Sequence, residues 1–185
     1  MINNGKLSLI CILVISLLVA CNTLKFEPTQ VTLSKQASYV IQGVPTELIG
    51  HTSLQKLQVS ENNNIHEFLL QTELQKDSIN MVGLSFSGIQ LFQLTWQQGQ
   101  DLIIKKSLGM PDIPAKQLLT YYQLSTWPIN SVKKGLVGLT VSANDPNSRQ
   151  FFENQSLFYS VTTTEKTSTV VHHKNNYQIT IETLD

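Results

Sequence analysis

The sequence predicts a mainly β (α+β) fold, a curved antiparallel sheet or incomplete barrel of about ten strands with one or two helices inserted on its concave side. Short apolar runs separated by turn residues recur along the chain, as in Ile79–Phe86 and Ile89–Trp96 around Ser87-Gly88. Over Ala115–Trp127 the apolar period lengthens from two residues to nearer 3.6, which indicates a helix that Pro128 ends. An antiparallel sheet interrupted by a helix in mid-chain is typical of curved sheets that wrap around the helix.

Before the helix, strands are predicted from alternation and from turn residues. In Ile65–Leu74 apolar and polar residues alternate, which is the pattern of a strand with one wet face. Through Ile79–Trp96 the alternation weakens, so these strands are expected to be covered on both faces. The strands predicted in this half are Ala37–Gln42, Leu54–Val59, Ile65–Leu74, Ile79–Phe86, Ile89–Trp96 and Leu102–Ile104.

After Pro128 a second helix is predicted over Ile129–Lys134, with Gly135 placed to end it. The last hairpin turns at Asn175-Asn176, and the strand after it alternates apolar and polar residues up to Glu182. The other strands predicted here are Leu136–Ser142, Arg149–Phe152, Ser156–Thr163 and Thr167–His173.

The N-terminus reads as a targeting segment. Lys6 is followed by Leu7–Ala20, an apolar run too short to span a bilayer comfortably. Leu18–Cys21 matches the lipobox of bacterial lipoproteins, which implies cleavage before Cys21 and acylation of its thiol. The alternative is a retained signal anchor. We therefore predict a signal peptide at 1–20, a lipidated Cys21 with a tether at 21–34, and a single domain at 35–185.

Lipidation implies a membrane partner. Several acyl chains on one Cys anchor a protein firmly, since each buried methylene contributes about 0.8 kcal/mol. In the lipoprotein sorting pattern that this segment resembles, Asp after the Cys favours retention in the inner membrane. This chain has Asn22 there, so we expect the periplasmic face of the outer membrane.

Composition limits the function further. The chain has 13 Lys and Arg against 13 Asp and Glu, and removing 1–20 takes away Lys6, which leaves 12 − 13 = −1. Such a balance gives no basis for nucleic-acid binding. Of the two cysteines, Cys11 would be cleaved off and Cys21 lipidated, so no disulfide, Cys ligand or Cys nucleophile is expected.

No motif indicates an enzyme or a cofactor. Gly83–Ser87 approaches the G-x-S-x-G elbow of hydrolases, but Ser87 stands where the motif has Gly, and strands are predicted on both sides. Adjacent His172 and His173 would point to opposite faces of a strand, so they are not expected to share a metal. His51 and His66 have no ligands at a metal-binding spacing.

Several features together resemble a family of Gram-negative lipoproteins encoded among aryl-polyene pigment biosynthesis genes. They are the lipobox, the V-G-L-S-x-x-G-x-x-L-F-x-L run at Val82–Leu94, the L-L-x-x-x-Q-L-x-x-W-P run at Leu118–Pro128 and the terminal N-Y-x-I-x-I at Asn176–Ile181. That family is distantly similar to LolA and LolB, the lipoprotein carrier and its outer-membrane receptor. The resemblance implies an open antiparallel barrel lidded by helices around an apolar cavity, with partners in lipoprotein sorting or pigment biosynthesis.

We therefore expect a non-enzymatic lipoprotein that binds or transfers an apolar molecule: an acyl or aryl-polyene lipid, or the acyl chains of a lipoprotein. One alternative is an assembly lipoprotein that binds a protein partner, which a filled interior would favour. Another is a hydrolase or transferase acting on a lipid, which polar groups converging in a cavity would favour. The residues expected to line the apolar site or to form its lid are Phe92, Leu94, Trp96, Leu118, Leu119, Tyr122 and Trp127.

Overall fold

A computed structural model describes residues 29–62, 64–107 and 115–184 of the chain. Two α-helices, α1 (Ala115–Thr126) and α2 (Ile129–Gly135), interrupt a series of strands, and a 3-10 turn covers Thr46–Leu48. The strands are β1 (Gln30–Thr32), β2 (Ser38–Val40), β3 (Thr52–Glu61), β4 (Asn64–Gln75), β5 (Ser78–Leu84), β6 (Gln90–Gln97), β7 (Ile103–Lys106), β8 (Leu136–Val137), β9 (Thr140–Asp145), β10 (Ser148–Glu153), β11 (Ser156–Thr163), β12 (Thr167–His172) and β13 (Tyr177–Thr183).

Ten of these strands form one antiparallel sheet, the large sheet, in the order β7-β6-β5-β4-β3-β13-β12-β11-β10-β9. Its edge strands β7 and β9 do not pair with each other, so the sheet stays open. Strands β1, β2 and β8 form a separate small sheet. The predicted fold class, an open antiparallel sheet with two helices inserted, is confirmed.

One face of the large sheet forms the core, because side chains alternate between the two faces of each strand. On β5 and β6 the inward side chains of Ile79, Met81 and Leu94 are fully buried. The prediction that both faces of these strands are covered is wrong: the residues of β5 and β6 that alternate with the buried ones are half-buried or exposed, and in the turn between the strands Phe86 is 60% and Ile89 is 66% exposed. The weak alternation in the sequence comes from exposed apolar side chains in the turn between β5 and β6. A sequence pattern alone does not distinguish such side chains from a second buried face.

Helix α1 has almost no solvent-facing side, and nine of its twelve residues are buried. It packs against β11 and β12 of the large sheet and against β1 of the small sheet. Fully buried Gln123 joins helix and small sheet: its Oε1 accepts from the Gln42 N–H at 3.1 Å, and its Nε2 donates to the Gln42 carbonyl at 3.1 Å. These bonds satisfy polar groups that would otherwise be costly to bury.

The end of α1 is held by Arg149 on β10. Arg149 Nη1 donates to the Leu124 carbonyl at 2.9 Å and to the Trp127 carbonyl at 2.7 Å. The last carbonyls of a helix have no hydrogen-bond partner within the helix and carry partial negative charge. A guanidinium at this end supplies both the missing donors and a positive charge. Pro128 then directs the chain into α2. Within the described ranges, no helix is both long and apolar enough to cross a bilayer.

Two elements differ from the sequence prediction. The strand predicted at Leu136–Ser142 is divided into β8 of the small sheet and β9 of the large one. Gly138 lies between them with φ +71°, and a Cβ there would come within 2.1 Å of the Gln36 carbonyl oxygen. The other difference is β1, which lies inside the segment predicted as a tether. Trp96 Nε1 donates to Thr29 Oγ1 at 3.2 Å, so Thr29 already belongs to the folded domain.

Candidate functional site

The seven residues expected to form an apolar site or its lid lie in the packed core, where each side chain is at most 4% exposed. Phe92, for example, packs edge-on against Phe68 at 5.6 Å between ring centroids. None of the seven lines the cavities described below. Cys21, the predicted lipidation site, lies outside the described residues. A ligand site in this part of the chain must therefore be sought at the margins of the core.

One such site is a crevice of about 460 Å³ at the start of α1, here called the α1 crevice. Buried Val31 and Ala115 and half-buried Ile104 supply its apolar surface. Its lining residues come from β1, β7 and α1, and are Gln30, Val31, Thr32, Ile104, Lys106, Ala115, Lys116 and Gln117. Its volume falls in the range of about 300 to 1,000 Å³ that small-molecule sites occupy.

A second, smaller cavity of about 130 Å³ lies further along α1 and is mainly polar. We call it the tyrosine cavity, because Tyr121, Tyr159 and Tyr177 converge on it from α1, β11 and β13. The hydroxyls of Tyr121 and Tyr159 are 3.4 Å apart, and the ring of Tyr121 lies 5.5 Å from each of the other two rings. The remaining lining residues are Leu33, Glu61, Gln117, His172 and Asn175.

The three phenols stay protonated at neutral pH. Burial is the main cause: it raises the pKa of Tyr159 to about 12 and raises the pKa values of Tyr121 and Tyr177 still further above their ordinary value. The Glu61 carboxylate adds to the rise in the pKa values of Tyr121 and Tyr177. The hydroxyls can therefore donate and accept hydrogen bonds, but they are not phenolate nucleophiles.

His172 enters the same cavity as a neutral imidazole. Burial lowers its pKa, and the neighbouring positive charge of Lys174 lowers it further. The Lys174 backbone N–H donates to His172 Nδ1 at 3.2 Å, so Nδ1 is the acceptor and the neutral ring carries its proton on Nε2. His173 is exposed while His172 is buried, so the prediction that the two face opposite sides is confirmed.

Lys174 itself is directed away from the cavity. Its Nζ pairs with Glu153, whose carboxylate also accepts from the Ser34 hydroxyl, and it lies 4.9 Å from the centroid of the Phe158 ring. Of the described residues that line the tyrosine cavity, Glu61 is thus the one with a formally charged side chain. Within the described ranges, no group of three or more His, Cys, Asp or Glu side chains is arranged to hold a metal ion.

The tyrosine cavity lies at one end of the large sheet, here called the tip end. Antiparallel register brings the β3–β4, β5–β6 and β12–β13 turns to this end. The β5–β6 turn forms the hairpin tip, Ser85–Ile89, with its exposed Phe86 and Ile89. Ser107 joins the end of β7 to the base of this hairpin through its N–H to Leu91 and its hydroxyl to Gln90. The α1 crevice, which β7 lines, therefore lies near an exposed apolar hairpin.

Sequence reasoning missed the tyrosine cavity. Of the residues that line it, only His172 stands out in the sequence, and there only as a possible metal ligand. Glu61 and Tyr177 are direct cross-strand partners in β3 and β13, although they are far apart in the chain. No local spacing signals such a site, because its residues come from five separate elements.

The part of the chain from β3 onward, which holds the whole large sheet and both helices, corresponds to a known family model. That model is described as "Protein of unknown function (DUF3261)" and matches residues 52–185. No curated protein matches the chain. The match covers most of the chain and takes in every strand that builds the tyrosine cavity. The chain belongs to the DUF3261 family.

Proposed function

We propose that this protein is a lipid-anchored carrier or receptor that binds an apolar chain, acyl or polyenyl, in the α1 crevice at the periplasmic face of the outer membrane. The observation that carries the proposal is the crevice itself, which is ligand-sized, has an apolar floor and is lined by β7, a strand whose end is joined to the base of the hairpin tip. Each methylene buried there would contribute about 0.8 kcal/mol, so roughly ten would contribute about 8 kcal/mol before the costs of ordering.

The predicted anchor is compatible with this placement. Eight peptide steps separate Cys21 from Thr29, and an extended chain of that length reaches at most about 28 Å. Thr29 lies at the end of the large sheet opposite the hairpin tip, since its hydroxyl interacts with Trp96 and Gln100. The eight residues of β6 span about 26 Å, so the tether is long enough for the tip end to face the bilayer.

The assembly alternative is favoured by the packed core, which the seven predicted site residues fill, but it also needs a surface for the partner, and the open edges of the large sheet are one such surface. Edge strand β7 has only four residues, including exposed Lys105, and β9 is irregularly paired, with a register shift opposite Ser148 and Gln150. Short, charged and irregular edges are typical of strands that resist pairing with another chain. These edges therefore favour ligand binding over the addition of a partner strand.

The enzyme alternative would use the tyrosine cavity, where polar groups do converge. An enzyme acting on an ester or glycosidic bond needs an activated nucleophile or an acid and base with suitable pKa values. Among the described residues, the cavity offers three phenols that stay protonated, a neutral imidazole and the Glu61 carboxylate, and none of those that line it is a Ser, Thr or Cys nucleophile. This set is better suited to holding a polar group than to bond cleavage.

The test uses a soluble form that begins at Asn22, purified from cells that make lipid and polyene. Native mass spectrometry should detect a stoichiometric apolar adduct, and the delipidated protein should take up a fluorescent fatty acid. Thr32→Trp places an indole in the crevice from an exposed strand position and should reduce uptake at least tenfold. Thr162→Trp, at an exposed position of β11 outside the described cavities, should leave uptake unchanged. An apo protein with no uptake would contradict the proposal.

A further inference from the structure

The α1 crevice and the tyrosine cavity are adjoining compartments. Gln117 lines both, and consecutive residues of the β1 segment divide between them, Thr32 lining the crevice and Leu33 the cavity. On α1, Gln117 and Tyr121 are one turn apart and so lie on the same face of the helix. A molecule extended along β1 would therefore place one end in each compartment.

The compartments differ in chemistry. The crevice has an apolar floor and is also lined by Lys, Gln and Thr side chains, whereas the tyrosine cavity is lined by hydroxyls, two amides, an imidazole and a carboxylate. Glu61 is exposed to solvent, and within the described chain its carboxylate has no hydrogen bond or ion pair. The buried Tyr177 hydroxyl likewise has no hydrogen-bond partner there, although buried hydroxyls nearly always have one.

We propose that the tyrosine cavity binds the ammonium head of an amphipathic primary amine whose apolar chain lies in the α1 crevice. This inference rests on the proposed function, because it assigns the polar end of the same ligand. An ammonium group has three donors and no acceptor, which matches the unpaired Glu61 carboxylate and the phenol oxygens. The aromatic faces around it favour a cation as well.

The same chemistry disfavours other head groups. A carboxylate head in the tyrosine cavity would be repelled by Glu61, and the neutral imidazole of His172 offers no compensating charge there, because Lys106 and Lys116 line the crevice instead. A hydroxyl head would form hydrogen bonds but would gain nothing from the carboxylate's charge. The volume of about 130 Å³ suits a small head such as a primary ammonium rather than a sugar or another bulky group.

The experiment titrates the soluble form beginning at Asn22, at pH 7, with dodecylammonium, dodecanol and dodecanoate below their aggregation limits. Dodecylammonium should bind at least tenfold more tightly than dodecanol, and dodecanoate should bind most weakly. Glu61→Gln should bring dodecylammonium down to the affinity of dodecanol, with dodecanol binding unchanged. Glu165→Gln, which removes an exposed carboxylate in the β11–β12 turn, should preserve the preference for the amine.

The outcomes separate the two proposals. If none of the three ligands binds, the proposed function fails. If all three bind equally, or Glu61→Gln leaves the preference intact, only the assignment of the ammonium head is overturned. Propylammonium carries the same head without the chain and should compete only at concentrations at least a hundredfold higher. Equal binding of propylammonium would mean a site for a free amine and would overturn the amphipathic ligand.

Discussion

At the residue scale, Gly83 shows how closely the interior is packed. It pairs directly with Phe92 across β5 and β6, and a Cβ at this position would lie 2.1 Å from Phe92 Cε1. The Phe92 ring covers the glycine and packs edge-on against Phe68. A glycine opposite an aromatic residue leaves room for the ring to lie flat on the sheet.

We therefore expect Gly83→Ala to lower the free energy of unfolding by about 1 to 3 kcal/mol, because the ring of Phe92 must move from its place in the core. Urea denaturation followed by tryptophan fluorescence measures this change. Gly43→Ala is the control, since its Cβ would meet only the flexible end of Gln98 at 3.3 Å. Equal stability of the two variants would contradict the packing around Phe92.

Glu153 and His172 make stability depend on pH. Hydrogen bonds from Lys174 and Ser34 lower the pKa of Glu153 below its ordinary value of 4.5. On acidification the Glu153 carboxylate is protonated at a higher pH in the unfolded chain than in the folded one. The contribution of Glu153 to stability is therefore present above about pH 4.5 and is lost as the pH falls further. Burial lowers the pKa of His172 below 6.5, so its protonation also destabilises the fold, beginning below about pH 6.5.

Urea denaturation between pH 3 and 8 should therefore show constant stability above about pH 7 and two successive losses on acidification. Glu153→Gln should lower stability at pH 7 and flatten the loss below pH 4.5, while the loss that begins near pH 6.5 remains. Glu165→Gln, at an exposed turn position, should reproduce the parental profile. A Glu153→Gln profile parallel to that of the parent would rule out a role for the Ser34–Glu153–Lys174 cluster.

At the scale of elements, the hairpin tip is the feature that a purely structural role does not explain. Two large apolar side chains, Phe86 and Ile89, project from a five-residue turn that Ser85 stabilises by accepting from the Ile89 N–H at 3.0 Å. Exposing them to water is unfavourable, and inserting each into a bilayer surface would recover about 1.5 to 3 kcal/mol. We infer that this tip contacts the membrane.

The double variant Phe86→Ser, Ile89→Ser should reduce co-flotation of the soluble form with liposomes at least tenfold, without changing the urea midpoint. Leu184→Ser is the matched control, because Leu184 is also exposed but lies at the opposite end of the large sheet. If the double variant floats as well as the parent protein, the tip does not insert and another surface must face the bilayer.

At the scale of the whole molecule, the open sheet should not have uniform stability. Strands β3, β4 and β13 lie at its centre with a paired strand on each side, whereas β7 and β9 are edges. Edge amides can open without disturbing the core, so they exchange with solvent at lower free-energy cost. Protection should therefore decrease from the centre of the large sheet towards both edges.

Hydrogen exchange with mass spectrometry tests this gradient. Peptides from β3 and β13 should exchange last, and those from Ile103–Lys106 and Thr140–Asp145 first. The amides of helix α1 should exchange as slowly as those of the central strands, because nine of the helix residues are buried. Adding a bound amphiphile should slow exchange at β1 and β7, which line the α1 crevice. Uniform protection across the sheet would contradict an open edge at β7 and β9.

Much of the fold follows from the sequence alone. Ser156–Thr163 was predicted at the bounds of β11, and Ala115–Trp127 exceeds α1 by one residue, because periodicity and proline positions are local signals. The same local reasoning could not divide Leu136–Ser142 between two sheets, since only contact with Gln36 requires Gly138 to turn there. It also could not detect β1, whose three residues are too few to show a period.

The sequence by itself determined the fold class, most of the order of strands and helices and the expectation of a lipid anchor at Cys21. Only the tertiary structure decided that the predicted apolar residues fill the core, that a crevice opens beside α1, and that Glu61 meets Tyr177 at the tip end. The physical reason is that periodicity and turn residues are properties of neighbouring positions. A cavity instead depends on the register between β3 and β13 and on the placement of α1 over β11 and β12, which no short stretch of chain encodes.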